Sequence, residues 1–232
     1  MNVITNYWFV LLAGIVISLG AQIYLKAVYA KYSKIRASNG MSAERFASWM
    51  LSANDITDVS ISRISGNLTD NYSNKDKTIS LSDSTYGHAD IAAIGVAAHE
   101  TGHAVQYAKM YVPVFLRSFM VPVVNIGSNL GLYMIMGSIL LSAFAGFDIP
   151  YLADIGLILY ASAFVFTVVT LPVEFNASRR AIANVRNSNF FTNEEAVGMR
   201  RVLTAAALTY VASMFVALLN LLRMISIVKR RR

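Results

Sequence analysis

Four uncharged runs constrain this chain more than any other feature. The first extends from about Tyr7 to Leu25, and others run from Ser118 to Phe147, Ile155 to Val173 and Val202 to Leu222. About 20 apolar residues in a helix cover the hydrocarbon core of a bilayer. A backbone inside lipid must satisfy its own hydrogen bonds, which favours helices. The predicted fold is therefore a mainly α membrane protein with about four transmembrane helices. Composition agrees: 56% of residues are hydrophobic and 14% charged, against about 25% charged in a soluble domain. Disorder is excluded, since it needs low hydrophobicity and high charge.

The flanks predict orientation. Lys26, Lys31, Lys34 and Arg36 follow the first run, and no Lys or Arg precedes it. The positive-inside rule then places the N-terminus outside and residues after the first span in the cytoplasm. The missing N-terminal charge and the length of the run favour a retained anchor over a cleaved signal. The second and third spans form a hairpin whose outer turn is Phe147-Asp148-Ile149-Pro150, and Arg179, Arg180, Arg186, Arg200 and Arg201 fall inside. The fourth span leaves Lys229, Arg230, Arg231 and Arg232 outside. Either the rule is overridden there or the last helix does not fully cross. The net charge of +7 fits basic loops beside apolar spans, so no nucleic-acid partner is expected. The expected segments are 1–28, the first span; 29–112, a cytoplasmic polar region; 113–173, the second and third spans; 174–201, a cytoplasmic segment; and 202–232, the fourth span and basic tail.

Within the first polar region, Ser42 to Ser52 reads as a short helix. Val59 and Ile61, then Ile79 and Leu81, alternate with polar residues and predict two short strands, a β-hairpin in a small α+β unit. The Asn-, Asp-, Ser- and Gly-rich stretch Gly66 to Lys77 reads as a loop. A helix from about Ala89 to Lys109 is apolar nearly all round, so it is buried in protein or sits against the membrane. Thr192-Asn193-Glu194-Glu195 is a capping-box pattern that opens the final helix.

The buried helix carries His99-Glu100-Thr101-Gly102-His103, an H-E-x-x-H motif. Two histidines four residues apart project from one helical face and can hold one metal. Glu100 is turned about 100° from His99, beside a metal-bound water rather than on the metal. Zinc lowers the pKa of its water towards ~7, and a carboxylate takes the proton as a carbonyl is attacked. One Zn2+ per chain is the expected cofactor. Two core histidines with Glu100 paired to an arginine is the bland alternative. It leaves a costly buried carboxylate between two imidazoles.

A catalytic zinc needs a third protein ligand and an open position. The chain has no cysteine. His88 lies eleven residues before His99, about 16 Å along a continuous helix, too far to share the metal. Glu44 sits in the first short helix, and Glu194 and Glu195 belong to the cap. Glu174, just after Leu171-Pro172-Val173, is at the inner end of the third span, on the side that holds His99. An interfacial ion pair with Arg179 or Arg180 is its alternative role. Asp154, in Leu152-Ala153-Asp154-Ile155-Gly156, faintly resembles the third ligand of intramembrane site-2 proteases, but span parity places it on the opposite side.

Several stretches carry a family resemblance: Gly66-Asn67-Leu68-Thr69-Asp70-Asn71-Tyr72, Thr78 to Ser82 with Ser84 and Tyr86, Gly95 to Ala104, Leu171 to Ala181, and Ala205 to Ala212. The chain resembles the YugP-like membrane zinc metallopeptidases of bacteria, a gluzincin-like group, over nearly its whole length. The resemblance implies His99, His103 and Glu174 as zinc ligands, Glu100 as general base, and a membrane-embedded bundle with a small cytoplasmic catalytic unit. His is common in the family where Asn67 and Asn71 stand, and Asp where Asn176 stands. In related prenyl-protein and heat-shock membrane proteases an Asp often occupies the position of Ser178.

The expected activity is that of a zinc endopeptidase acting on peptides or membrane proteins at the bilayer. Strand Thr78-Ile79-Ser80-Leu81-Ser82 is a candidate edge to which an extended substrate adds. Arg180, Tyr210 and Tyr107 are candidate oxyanion stabilisers. A scaffold with structural zinc is the rival class, but such sites usually close with four ligands including Cys. A transporter is another, but the uncharged runs lack the intramembrane charges that mark one.

Overall fold

The computed structural model describes residues 7–147, 149 and 151–229. Asp148 and Pro150 of the expected outer turn, and Arg230, Arg231 and Arg232 of the basic tail, lie outside the described residues. The elements are α1 (Tyr7–Tyr32), α2 (Ala43–Ser52), β1 (Ser60–Ile64), β2 (Asn71–Ser73), β3 (Thr78–Ser82), α3 (Ile91–Ala108), α4 (Val112–Leu140), α5 (Leu152–Asn187) and α6 (Asn193–Lys229). A π-helical turn, Leu141–Ala145, extends α4 and ends at Gly146, whose φ of 62° is left-handed. The fold is mainly α with a small α+β unit. Four helical stretches are long and apolar enough to cross a membrane: Trp8–Tyr32, Val112–Ala145, Leu152–Asn187 and Asn193–Lys229.

The chain divides into two compact units. One comprises 1–20, 115–171 and 210–232. Its surface is rich in apolar side chains, among them Trp8, Phe119, Ile126, Tyr133 and Ile158, as lipid-facing helices require. Here α4 and α5 cross through glycines: a Cβ on Gly131 would lie 2.5 Å from the Gly156 carbonyl oxygen. Small residues let membrane helices approach this closely.

The second unit comprises 21–114 and 172–209. It joins the first polar region to the segment 174–201, which is mostly helical: α5 continues to Asn187, and α6 starts at Asn193. The expected capping box forms. Thr192 Oγ1 accepts from the Glu195 amide at 3.2 Å, and Glu195 Oε2 accepts from the Thr192 amide at 2.7 Å. Glu195 Oε1 also accepts from the Ser38 amide at 2.6 Å, which ties the α1–α2 connection to the start of α6. The unit's core joins Phe46 and Met50 of α2, Ile79 and Leu81 of β3, Ile94 and Val105 of α3, Ala181 and Val185 of α5, and Met199 and Val202 of α6.

The sheet differs from the expected pair of strands. Its order is β1-β3-β2. β1 runs parallel to β3, Ser60 opposite Thr78 and Ile64 opposite Ser82. β2 runs antiparallel to β3, with Tyr72 opposite Ile79, so the hairpin is β2–β3. β2 lies inside the stretch read as a loop, because its polar side chains hide a strand held by backbone pairing. The expected substrate edge, Thr78, Ile79, Ser80, Leu81 and Ser82, is therefore corrected. β3 is the central strand and is paired on both sides. Beyond the end of β2, Asp70 Oδ1 takes up the Ser82 amide at 2.8 Å. The outer strands are β1 and β2. Alternation of apolar residues reports a half-buried strand but not its neighbours.

Candidate metal centre

Helix α3 begins where Asp90, in extended conformation, accepts from the Ala93 amide. His88 precedes this cap, with its Nδ1 3.6 Å from Asp90. Glu44 Oε2 accepts from the Gly87 amide at 2.9 Å, which fastens α2 to the turn before α3. Both residues have structural partners away from the motif.

The H-E-x-x-H segment lies in the middle of α3. The position between its histidines that faces α5 is Gly102. A Cβ there would sit 2.6 Å from the carbonyl oxygen of Ala177, closer than any side chain can approach. The missing side chain lets the α3 backbone lie against α5 one turn beyond Val173. Glu174 then meets both histidines. Glu174 Oε2 lies 3.2 Å from His99 Nε2 and 3.6 Å from His103 Nε2. The rings of His99 and His103 are nearly perpendicular, 83° apart, with centroids separated by 4.8 Å. The Glu174 side chain is 2% exposed and those of His99 and His103 are 12% and 10%.

Among the described residues these three form the one group of three His, Asp or Glu donors able to share a metal, with ligand atoms within 4.8 Å of one another. Zinc bonds nitrogen and carboxylate oxygen at about 2.0–2.2 Å, so two ligands of a tetrahedral site stand about 3.3 Å apart. The two His–Glu separations bracket that value. The donor set, two imidazoles and a carboxylate, is also one used by catalytic zinc. The residues present fit the metal.

The far nitrogens of both imidazoles have partners. Ser178, one turn beyond Glu174 on α5, places Oγ 3.1 Å from His99 Nδ1. Gln106, one turn beyond His103, places Oε1 3.0 Å from His103 Nδ1. Sequence reasoning flagged Ser178 beside Glu174, and its partner is His99. Gln106 was missed. Its signal was a lone amide three residues after a motif histidine, in the apolar run Ala104-Val105-Gln106-Tyr107-Ala108.

Glu100 lies on α3 next to this cluster and keeps a partly accessible surface. Crowding by protein strips its carboxyl of hydration and pushes its pKa up, and the charges of His99 and His103 oppose that only in part. Of the expected oxyanion stabilisers, Arg180 Nε donates to Asn176 Oδ1 at 2.7 Å and its guanidinium stands over the Tyr111 ring. Tyr107 packs beside Tyr72, ring centroids 5.8 Å apart. Tyr210 and Asp154 belong to the other compact unit.

A helical membrane protein in which the two histidines of an H-E-x-x-H helix meet a glutamate from a second helix has the form of a membrane zinc metallopeptidase. The chain belongs to the family described as "putative neutral zinc metallopeptidase", whose profile matches residues 7–229. It is 39% identical over 219 residues to the "putative membrane protease YugP" of Bacillus subtilis (strain 168), covering 94% of this chain and 95% of that one. No solved structure matches the chain.

Zinc content tests the cluster. Purified protein is expected to carry one zinc per chain by elemental analysis. His99→Ala, His103→Ala and Glu174→Ala are expected to lose it, and Asp154→Ala to keep it. Retention by Glu174→Ala with loss in Asp154→Ala would transfer the third ligand to Asp154.

Proposed function

We propose that the protein is a membrane-embedded zinc endopeptidase in which His99, His103 and Glu174 hold the metal and Glu100 is the general base. One observation carries the reading: the Glu174 carboxylate stands at zinc-ligand spacing from both imidazole Nε2 atoms, the three donors lie within 4.8 Å of one another, and Glu100 holds the neighbouring helical position. Zinc held there supplies a Lewis acid for a peptide carbonyl and acidifies a water. The remaining work falls to the chain. Glu100 points off the face shared by His99 and His103, so its carboxylate is free to take the proton of the attacking water. It then returns that proton to the departing amine.

The substrates on this reading are peptides or membrane-tethered proteins, in keeping with the similarity to a membrane protease. The bilayer is the other partner, and nucleic acid is not one. The excess of Lys and Arg after the first span supports a cytoplasmic position for the catalytic region.

Two experiments test this. Glu100→Gln is expected to keep its zinc and to lose chelator-sensitive cleavage of casein in detergent by at least ~10²-fold. Undiminished cleavage by that variant would remove Glu100 from the mechanism, and a scaffold with structural zinc predicts no difference in function. For topology, single cysteines at Ser38 and Ser73 are expected to resist an impermeant thiol reagent in intact cells and to react after permeabilisation. Labelling of both in intact cells would reverse the assignment.

A further inference from the structure

Gln106 is fully buried, and all its polar atoms are engaged. Oε1 lies 3.0 Å from His103 Nδ1. Nε2 donates to the Val173 carbonyl oxygen at 2.7 Å and to Asn176 Oδ1 at 3.1 Å. Asn176 Oδ1 also accepts from Arg180 Nε at 2.7 Å. Every orientation in this chain of contacts follows from its far end. An arginine Nε only donates, so the atom of Asn176 facing it is the carbonyl oxygen. That oxygen and the Val173 carbonyl are both acceptors, so the NH2 of Gln106 must face them. Oε1 is left facing His103 and, as an acceptor, requires a proton on Nδ1. A neutral imidazole with Nδ1–H has its lone pair on Nε2, the atom turned toward Glu174.

We propose that Gln106 is a positioning residue that locks the tautomer and ring angle of His103 for zinc, set in turn by Asn176 and Arg180. The same amide holds the backbone carbonyl just before Glu174, so one side chain aligns two ligands on different helices. The inference rests on the zinc centre proposed above and deepens it. It also gives Arg180, considered above for the oxyanion, work in the shell behind the metal. Partners behind a ligating histidine typically govern ~10–100-fold in metal affinity.

The test is competition for zinc against a chromophoric chelator, in detergent, once wild type is seen to bind one zinc. Gln106→Leu keeps the size of the side chain and removes the acceptor, and its affinity is expected to fall by ~10–100-fold. Gln106→Glu still accepts from His103 Nδ1–H, although its second oxygen meets the Val173 and Asn176 oxygens, and its affinity is expected to lie clearly above that of Gln106→Leu, because a carboxylate behind histidine is a common partner. Both variants take the donor away from Val173. A role in helix packing alone therefore lowers both to the same extent, and equal affinities overturn the proposal. So does wild-type affinity in Gln106→Leu. If Gln106→Leu does not fold, Gln106→Met supplies the apolar variant with a more adaptable side chain. A wild type that binds no zinc overturns the centre itself, an outcome distinct from failure of the Gln106 variants.

Discussion

Helix α3 can lie against α5 only because residue 102 has no Cβ. The Gly102 backbone meets the Ala177 carbonyl so closely that a methyl group would stand 2.6 Å from the oxygen. Everything at the centre follows from this approach. His99 and His103 lie on either side of Gly102 in sequence, and Glu174 and Ser178 lie on either side of Ala177. Pressing the two backbones together brings two pairs of polar side chains into register. The result is Glu174 within 3.6 Å of both imidazoles and Ser178 within 3.1 Å of His99.

The surroundings keep the cluster in place. A buried carboxylate beside two imidazoles is costly unless hydrogen-bonded or bound to a cation. The apolar core of α2, α3, α5 and α6 supplies the burial that offsets such a cost, at about 25 cal/mol per Å² of apolar surface. The capping box of α6 and the Glu44 tie to Gly87 fix the ends of helices in the same unit. Hydrogen bonds behind each histidine then set its ring. A metal site needs this outer layer as much as its ligands.

Much of this was legible in the sequence, and the reasons divide cleanly. Long uncharged runs have one structural solution in lipid, so the four helices could be read directly. The spacing of His99 and His103 needs only helical geometry, and Glu174 could be reached from its place at a span end. The capping box is a local pattern with a local meaning. Strand partnership is not local: Ile79 and Leu81 announce a half-buried strand, yet nothing in Thr78 to Ser82 says that β1 and β2 flank it. β2 was hidden because Asn71 and Ser73 are poor strand formers held by the ladder. Gln106 was invisible for a similar reason. A buried amide has meaning only once its partners on another helix are known, and Val173 and Asn176 lie some seventy residues away.

The central claim is that contact at Gly102 closes the metal centre, and a zinc titration of Gly102→Ala in detergent tests it most directly. A methyl group at 2.6 Å from a backbone oxygen cannot be absorbed by a side-chain rotation, and overpacking of this kind costs about 1–3 kcal/mol. Zinc affinity is expected to fall by roughly tenfold or more, while Gly20→Ala, whose Cβ would meet nothing within 4 Å, binds zinc as wild type does. Wild-type zinc affinity in Gly102→Ala would contradict the account, since the ligands would then close on the metal without that contact.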